Sequence, residues 1–293
     1  MADLGLDPEF VRRLAQLSIV NRRILAGRMR GERRSKKRGI SVEFADYRDY
    51  VAGDDLRFVD WNIYGRLDRM YLKLFLEEED RFIYLIMDNS MSMAYGDPRK
   101  IDYAARCAAA LGYVALADMD RVAVNAITSG GSTAMRPRRG KGQVWQLFEF
   151  LESVEPEGQT DLAASCRRFC LENRRRGVVL VISDFLDPQG FEEPLKALAA
   201  RGHEVFALHV MAHEEAEPEL TGDFKLIDIE TEAAVEVSAT RSVMRAYERQ
   251  LDGFRGGLKT YCAERGIGYL YTTTALPFEE LILSYLRMAG LVR

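Results

Sequence analysis

Cysteine, histidine and long apolar runs are all scarce in this chain. Four cysteines and three histidines among 293 residues disfavour a disulfide-stapled secreted protein and fit a reducing, cytoplasmic location. The first residues lack the apolar stretch of a signal peptide. The longest nearly apolar run, Cys107–Ala117, is far shorter than the roughly 20 residues that cross a bilayer. We therefore expect no membrane span.

Glycine-rich phosphate-binding motifs are also missing. Neither Gly-x-Gly-x-x-Gly after the first strand nor Gly-x-x-x-x-Gly-Lys-Ser/Thr occurs, so the chain is not expected to be a nucleotide-binding enzyme or an ATPase itself. Its net charge of −4 disfavours general binding to polyanions. Hydrophobic residues make up 47% of the chain, which is enough for a folded core.

Positive charge is concentrated at the N-terminus, where residues 1–40 hold eleven Lys/Arg and four acidic residues. Apolar residues at helical spacing predict an amphipathic helix over 8–27. The basic tail 28–38 has two interpretations: contact with nucleic acid or an anionic membrane, or a solvated arm that faces an acidic run such as Glu77–Asp80. Because no aromatic residues interleave the basic ones, we favour the solvated arm and expect no nucleic-acid partner.

Strands and helices alternate from Arg81 onward. Phe82–Met87 and Val178–Ile182 are apolar throughout, which is typical of parallel strands covered by helices on both faces. Further strands are predicted at Arg121–Ile127, Ser132–Arg136, Val205–Met211 and Gly268–Thr272, and helices at about 99–117, 142–151, 161–173, 191–201, 240–265 and 278–288. Residues 212–240 break the alternation and predict an inserted hairpin of Phe224–Ile229 and Ala234–Val237.

The predicted fold class is therefore α/β, with a doubly wound, mainly parallel, Rossmann-like sheet between two helical layers. This domain is expected to occupy residues 80–293, after an N-terminal extension that comprises residues 1–79.

Oxygen-bearing side chains follow the two apolar strands. Asp88, Ser90 and Ser92 come after the first strand, Asp184 comes after the second, and Thr160 precedes a helix between them. Since ligands bind beyond the carboxyl ends of parallel strands, these side chains are expected at one edge of the sheet. Such a set suits a hard cation, above all Mg²⁺, with Mn²⁺ or Ca²⁺ as alternatives. Asp88 and Asp184 would act directly or through water.

Asp88-x-Ser90-x-Ser92, Thr160 and Asp184 resemble the metal-ion-dependent adhesion site (MIDAS) of von Willebrand factor A domains. The resemblance implies a von Willebrand factor A-like fold, a Mg²⁺ ion held by these residues, and an acidic side chain of a partner that completes the coordination. It also makes Thr160 the expected switch, because its loop can approach or leave the metal as the ligand arrives.

Residues 43–73, with Gly53-Asp54-Asp55-Leu56-Arg57 and Asp60-Trp61, resemble the segment that defines the bacterial domain-of-unknown-function 58 family. Members couple it to a von Willebrand factor A-like domain, and many are encoded beside MoxR-type AAA+ ATPases. The implied function is a non-enzymatic protein-interaction adaptor. It would work with a MoxR-type AAA+ ATPase or its client in chaperone-like assembly or metal insertion.

The Gly53–Trp61 segment itself has two interpretations. It is either a docking surface or buried ion-pair network, with Asp60 paired to Arg57 or Arg66, or else turn chemistry with Trp61 anchored in the core. We favour a structural role, since no nucleophile accompanies these acids.

A Mg²⁺-dependent phosphatase-like hydrolase that uses Asp88 is the alternative function. It is weakened because Ser90 stands where such enzymes carry a second aspartate as general acid, and because no lysine clamp is evident in the matching loops.

His209 and His213 lie four residues apart on a predicted strand and loop, which does not favour a metal pair, and His203 is expected to be structural. Cys166 and Cys170 predict one buried helix face rather than a zinc site.

Overall fold

The computed structural model describes residues 7–19, 42–77, 81–288 and 291–292. They form two units: residues 42–77 are one, and the remaining described residues are the other. The strands are β1 Val42–Asp49, β2 Tyr71–Glu77, β3 Phe82–Asp88, β4 Arg121–Thr128, β5 Gly131–Arg139, β6 Val178–Ser183, β7 Glu204–Met211, β8 Gly222–Ile227, β9 Ala234–Ala239 and β10 Gly268–Thr273.

The helices are α1 Pro8–Leu14, α2 Trp61–Leu67, α3 Lys100–Ala117, α4 Val144–Glu152, α5 Leu162–Glu172, α6 Glu192–Ala200, α7 His213–Ala216, α8 Arg241–Glu264 and a C-terminal α9 of three consecutive stretches, Phe278–Glu280, Leu281–Tyr285 and Leu286–Met288. Single 3₁₀ turns cover Leu56–Phe58, Met91–Ala94 and Lys141–Gln143. Among the described residues, no helix is long and apolar enough to cross a membrane.

The larger unit is built on a six-stranded sheet in the order β10-β7-β6-β3-β4-β5. The first five strands run parallel, and β5 pairs antiparallel to β4 at one edge. The predicted α/β class with a mainly parallel sheet is confirmed. From β3 the chain adds β4 and β5 on one side, and then crosses to add β6 on the other side. The carboxyl ends of β3 and β6 therefore flank the switch point, which is where open α/β sheets bind ligands.

Both faces of the central strand are buried, as its continuous apolar sequence predicts. Ile83 and Leu85 of β3 pack into a hydrophobic cluster with α1, α3, α4 and α9. Tyr84 and Ile86 face the opposite cluster, with α5, α6 and α8. The alternation of side chains along a strand thus divides one apolar run between two cores.

The first helix is shorter than predicted. Asp7 caps α1 by accepting from the backbone N–H of Phe10, but the helix ends at Leu14 and Ile19 instead forms an antiparallel bridge with Val292. Within the described residues, the prediction of a helix over 8–27 is therefore wrong beyond Leu14; the basic tail 28–38 lies outside them. Phe10 packs edge-to-face on Phe278 at 5.3 Å, so α1 belongs to the larger unit.

The smaller unit is an antiparallel pair of strands, β1 and β2, with α2 between them in the chain. The Asp60 carboxylate caps α2 through the N–H groups of Asn62 and Ile63. It pairs with Lys73 at 2.9 Å and accepts from the Tyr47 hydroxyl at 3.0 Å. The hydrogen bond from Lys73 is the main reason that the pKa of Asp60 falls to about 2.

Two predictions for this unit are wrong. Asp60 does not pair with Arg57 or Arg66, because β2 brings Lys73 alongside it and Arg57 pairs with Asp55. Trp61 is not a core anchor: its side chain is 55% exposed, since it stands at the first position of a short surface helix.

The histidine and cysteine side chains occupy positions that are typical of structural or surface residues. His209 is fully buried on β7 with Nδ1 3.1 Å from the Tyr269 hydroxyl, whereas His213 is exposed at the start of α7. His203 is buried and packs against the rings of Tyr84 and Phe169. All four cysteines are free and buried, and Cys166 and Cys170 share the inner face of α5.

Candidate metal centre

Asp88 is the last residue of β3, at the switch point, and its side chain is 1% exposed. Its Oδ1 accepts from the Ser90 hydroxyl at 2.7 Å and from the Ser90 backbone N–H at 3.0 Å. Its Oδ2 accepts from the Ser183 hydroxyl at 2.6 Å. Ser183 is itself fixed, because its Oγ accepts from the N–H of Phe185. The ends of two adjacent strands thus orient one buried carboxylate.

The Asp-x-Ser-x-Ser spacing brings two hydroxyls together. A 3₁₀ turn begins directly after Ser90, and the Oγ atoms of Ser90 and Ser92 lie 3.0 Å apart. Ser90 is fully buried, whereas Ser92 is partly exposed. The pair therefore leads from the buried carboxylate toward the surface.

Thr160 lies in a loop that is tied to the serine loop by backbone hydrogen bonds. Met91 N–H donates to the Gly158 carbonyl at 3.0 Å, and Glu157 N–H donates to the Asn89 carbonyl at 2.8 Å. Thr160 is 8% exposed and directly precedes Asp161, whose carboxylate caps α5 through the N–H of Ala164.

Asp184 forms its ion pair with a lysine that the sequence analysis missed. Lys100 Nζ lies 2.7 Å from Asp184 Oδ2, and both side chains are fully buried. The same ammonium lies 2.7 Å from Glu215 Oε1 of α7. Burial acts to lower the pKa of Lys100, but the two carboxylates outweigh it and raise that pKa, so the ammonium stays charged. Lys100 is the first residue of α3, so it reaches Asp184 from a helix and not from the loops that follow β3 and β6.

A fourth carboxylate, that of Glu230, comes from the turn between β8 and β9. Its Oε1 accepts from the Thr160 hydroxyl at 2.8 Å and from the Ser92 N–H at 3.4 Å. Its Oε2 accepts from the Thr160 N–H at 3.1 Å. Glu230 therefore connects the loops that carry Ser92 and Thr160.

Two observations indicate that this site suits a hard divalent cation. Mg²⁺ with oxygens at about 2.0–2.1 Å in octahedral geometry places neighbouring ligand oxygens about 2.9 Å apart. The oxygen pairs Asp88–Ser90, Ser90–Ser92 and Thr160–Glu230 lie 2.7, 3.0 and 2.8 Å apart, which suits both hydrogen bonds and neighbouring ligands. The donors are carboxylate and hydroxyl oxygens, the ligand type that Mg²⁺ prefers.

The charge balance is the second observation. The network contains the carboxylates of Asp88, Asp184, Glu215 and Glu230, and the Lys100 ammonium pairs with two of them, Asp184 and Glu215. Burial, reinforced by the nearby charge of Asp184, raises the pKa of Asp88 well above its usual range. A dication would lower the cost of keeping Asp88 ionised. Within the described residues, no group of three or more His, Cys, Asp or Glu side chains has the geometry of a metal site, so the hydroxyls are essential to this candidate.

The structure thus links all five predicted residues in one network and adds four more. Hydrogen bonds join Asp88, Ser90 and Ser92 directly, and the Glu230 carboxylate connects Thr160 to Ser92. Asp184 follows Ser183, which donates to Asp88, and forms an ion pair with Lys100. The available signal for Lys100 was a lysine at the start of a helix rich in apolar residues, and Ser183 stands next to Asp184 in sequence. Glu215 and Glu230 carried no local signal, because only tertiary structure brings them near residues 100 and 160.

Comparison with known proteins places the chain in a family. The model of a family described as "Protein of unknown function DUF58" matches residues 46–254. The chain belongs to the DUF58 family. Uncharacterized proteins of Mycobacterium bovis and Mycobacterium tuberculosis are each 28% identical to this DUF58 protein over 237 residues, which is 79% of this chain and 74% of theirs.

Among solved structures, an aerotolerance-related membrane protein from Bacteroides fragilis is 16% identical, with a TM-score of 0.44 over 72% of this chain and 98% of that one. The pilus adhesin SpaC from Lactobacillus rhamnosus GG is 11% identical, with a TM-score of 0.40 over 74% of this chain and 32% of the adhesin.

Proposed function

We propose that this DUF58 protein is a non-enzymatic adaptor that binds an acidic side chain of a partner through a metal-ion-dependent adhesion site. The observation that carries the proposal is the set of side-chain oxygens of Asp88, Ser90, Ser92 and Thr160, the last joined to Ser92 through Glu230, at the switch point of the mainly parallel sheet. Ser90, Ser92 and Thr160 would hold Mg²⁺, and Asp88 and Asp184 would act directly or through water.

The composition of the donor set suits recognition of a further carboxylate. Hydroxyl oxygens are neutral, so they leave a bound cation with much of its positive charge. Asp184 shares its charge with Lys100, whereas no cation of the described residues forms an ion pair with the buried carboxylate of Asp88. A cation held in this way attracts an additional acidic ligand, as an adhesion site requires.

The proposed partner is a MoxR-type AAA+ ATPase or its client, and the process is chaperone-like assembly or maturation in the cytoplasm. This part of the proposal rests on the resemblance of residues 43–73 to the family segment. The Gly53–Trp61 segment contributes exposed side chains to the smaller unit, among them Leu56, Phe58 and Trp61 at 49%, 45% and 55% exposure.

Hydrolysis at Asp88 is less well supported by the geometry. Both oxygens of the Asp88 carboxylate already accept hydrogen bonds, from Ser90 and from Ser183. Lys100 is fully buried and bound to two carboxylates, so it does not offer a free ammonium to a phosphate. A carboxylate held on both oxygens is better suited to orienting a cation or its water than to nucleophilic attack.

Binding to the purified MoxR-type ATPase of the same organism tests the proposal. Chelation is uninformative because the ATPase itself uses Mg²⁺, so the site is removed with Asp88→Asn instead. Ser183 can accept as well as donate a hydrogen bond, so the amide fits the same place. Asp252→Asn, at a side chain that is 77% exposed on α8, is the control.

Wild type and Asp252→Asn are expected to bind the ATPase equally, and Asp88→Asn at least about tenfold more weakly, since removal of one partner of a charged interaction costs more than about 1.4 kcal/mol. Equal binding by Asp88→Asn would contradict the adaptor mechanism.

A further inference from the structure

The turn between β8 and β9 holds Glu230 in a defined orientation. Asp228 Oδ1 accepts from the N–H groups of Glu230 and Thr231, both at 2.8 Å. The Asp228 N–H donates to the Ala233 carbonyl, and the Glu232 N–H donates to the Asp228 carbonyl. These bonds close the turn on itself and leave the Glu230 side chain free to project from it.

The carboxylate of Glu230 reaches the part of the candidate centre that lies nearest the surface. It accepts from the hydroxyl and the N–H of Thr160 and from the N–H of Ser92, while Gln159 Nε2 donates to the Glu230 carbonyl at 3.3 Å. The residues it joins are 70 and 138 positions away in the chain. This is the place that the proposed function assigns to the acidic side chain of a partner.

The hairpin itself buries little apolar surface. Leu226, Ile227 and Val235 are 47%, 63% and 60% exposed, so packing of these side chains contributes little to holding the hairpin in place. The hydrogen bonds of Glu230 and Gln159 thus carry much of its attachment to the site. A hairpin held mainly by polar contacts at its tip can be released at low cost.

We infer that Glu230 is a resident carboxylate ligand of this site, which binds the metal in place of the partner's acidic side chain and is exchanged for it. The inference rests on the proposed function and adds the regulation of the same site. The partner's carboxylate must displace Glu230 from Thr160 and Ser92, so that occupation of the site releases the β8–β9 hairpin. A partner would then bind only as tightly as the difference between its own contacts and those of Glu230.

Two substitutions distinguish a Glu230 that binds the metal from a Glu230 that only tethers the hairpin through hydrogen bonds. Glu230→Gln keeps the length and one acceptor oxygen, so a tether would persist, but it removes the charge that a cation requires. Glu230→Ala removes the carboxylate from its position beside Thr160 and Ser92. Glu236→Gln, on the exposed part of β9, is the matched control on the same hairpin. The probes are Mg²⁺ alone, titrated by calorimetry, and acetate as a small stand-in for a partner carboxylate.

If Glu230 is a ligand, Glu230→Gln and Glu230→Ala bind Mg²⁺ at least about tenfold more weakly than wild type, since affinity follows the number of charged ligands. Glu236→Gln binds as wild type does. Acetate, compared with chloride at equal ionic strength, strengthens Mg²⁺ binding by Glu230→Ala and leaves the wild type unchanged. Mg²⁺ also slows hydrogen exchange of the turn amides at 228–233 in wild type and Glu236→Gln, but not in Glu230→Gln.

The inference is overturned if Glu230→Gln and Glu230→Ala bind Mg²⁺ like wild type and acetate has no effect, while Asp88→Asn abolishes binding. That result would leave the metal site and the proposed function standing and assign Glu230 a structural role. Absence of Mg²⁺ binding in the wild type would instead overturn the proposed function, and the role of Glu230 with it.

Discussion

Lys100 and Asp184 form an ion pair of 2.7 Å in which neither side chain is exposed to solvent. Asp184 is the residue that an adhesion site would place near the metal, so the lysine supplies part of the positive charge there. Taking two charges out of water is costly unless each is well paired. Glu215, which also contacts the ammonium, completes a buried triad that links α3, the end of β6 and α7.

Lys100→Met is expected to destabilise the protein strongly in the absence of metal. It leaves Asp184 as an unpaired buried carboxylate, which costs about 3–5 kcal/mol. Because a dication compensates the same charge, Mg²⁺ should raise the melting temperature of this variant more than that of the wild type. Thermal unfolding with Mg²⁺ and with EDTA measures both effects.

Lys196→Met is the control for that experiment, since the Lys196–Glu193 pair lies on the surface with side chains 66% and 64% exposed. Its loss should cost less than about 1 kcal/mol. If Lys100→Met were as stable as Lys196→Met, the buried triad would not have the role described here.

Asp120 predicts a specific pH dependence of stability. Its carboxylate is 3% exposed and pairs with Arg81 at 2.6 Å, and burial raises its pKa to about 6 despite that pairing. A folded pKa above the unfolded value means that the contribution of Asp120 is fully present below about pH 4 and is lost as the pH rises through about 6.

The free energy of unfolding of wild type relative to Asp120→Asn should therefore fall between about pH 4 and pH 6 and stay level above about pH 7. Urea denaturation of both proteins at a series of pH values measures this difference, with Asp252→Asn, at a side chain that is 77% exposed, as the control substitution. A difference between wild type and Asp120→Asn that is constant with pH would refute the assignment.

Gly177 and Gly256 predict opposite effects of the same substitution. A Cβ at Gly177, just before β6, would overlap the carbonyl oxygen of Phe82, so Gly177→Ala forces backbone shifts that cost about 1–3 kcal/mol. A Cβ at Gly256, within α8, meets no atom within 4 Å, so Gly256→Ala should stabilise by up to about 1 kcal/mol. Chemical denaturation ranks the two variants, and a destabilised Gly256→Ala or a neutral Gly177→Ala would contradict the packing described.

The sequence predicted most of the larger unit because local patterns decide it. The apolar runs of β3 and β6 are buried on both faces and lie beside each other in the sheet. The positions of Asp88, Ser90 and Ser92 directly after an apolar strand predicted a candidate metal centre at the switch point. Within the described residues, the helix predicted over 8–27 ends at Leu14, and Ile19 instead pairs with Val292, a contact across almost the whole chain.

The parts of the site that could not be predicted all depend on long-range contacts. Glu230 reaches Thr160 and Ser92 only because the tertiary structure brings the turn between β8 and β9 to the loops that carry them. In the smaller unit, outside the site, Asp60 likewise pairs with Lys73 because Val59 forms an antiparallel bridge with Leu72 of β2, a contact that no local spacing reveals. Spacing along the chain identifies side chains that share an element, whereas partners from distant elements require the fold itself.

Calorimetric titration of Mg²⁺ into the metal-free protein, with Asp88→Asn alongside, tests the central claim most directly. The expected result is saturable binding of one ion per chain that Asp88→Asn abolishes and Asp252→Asn retains. Absence of binding by the wild type, or equal binding by Asp88→Asn, would contradict a metal-dependent adhesion site at the ends of β3 and β6.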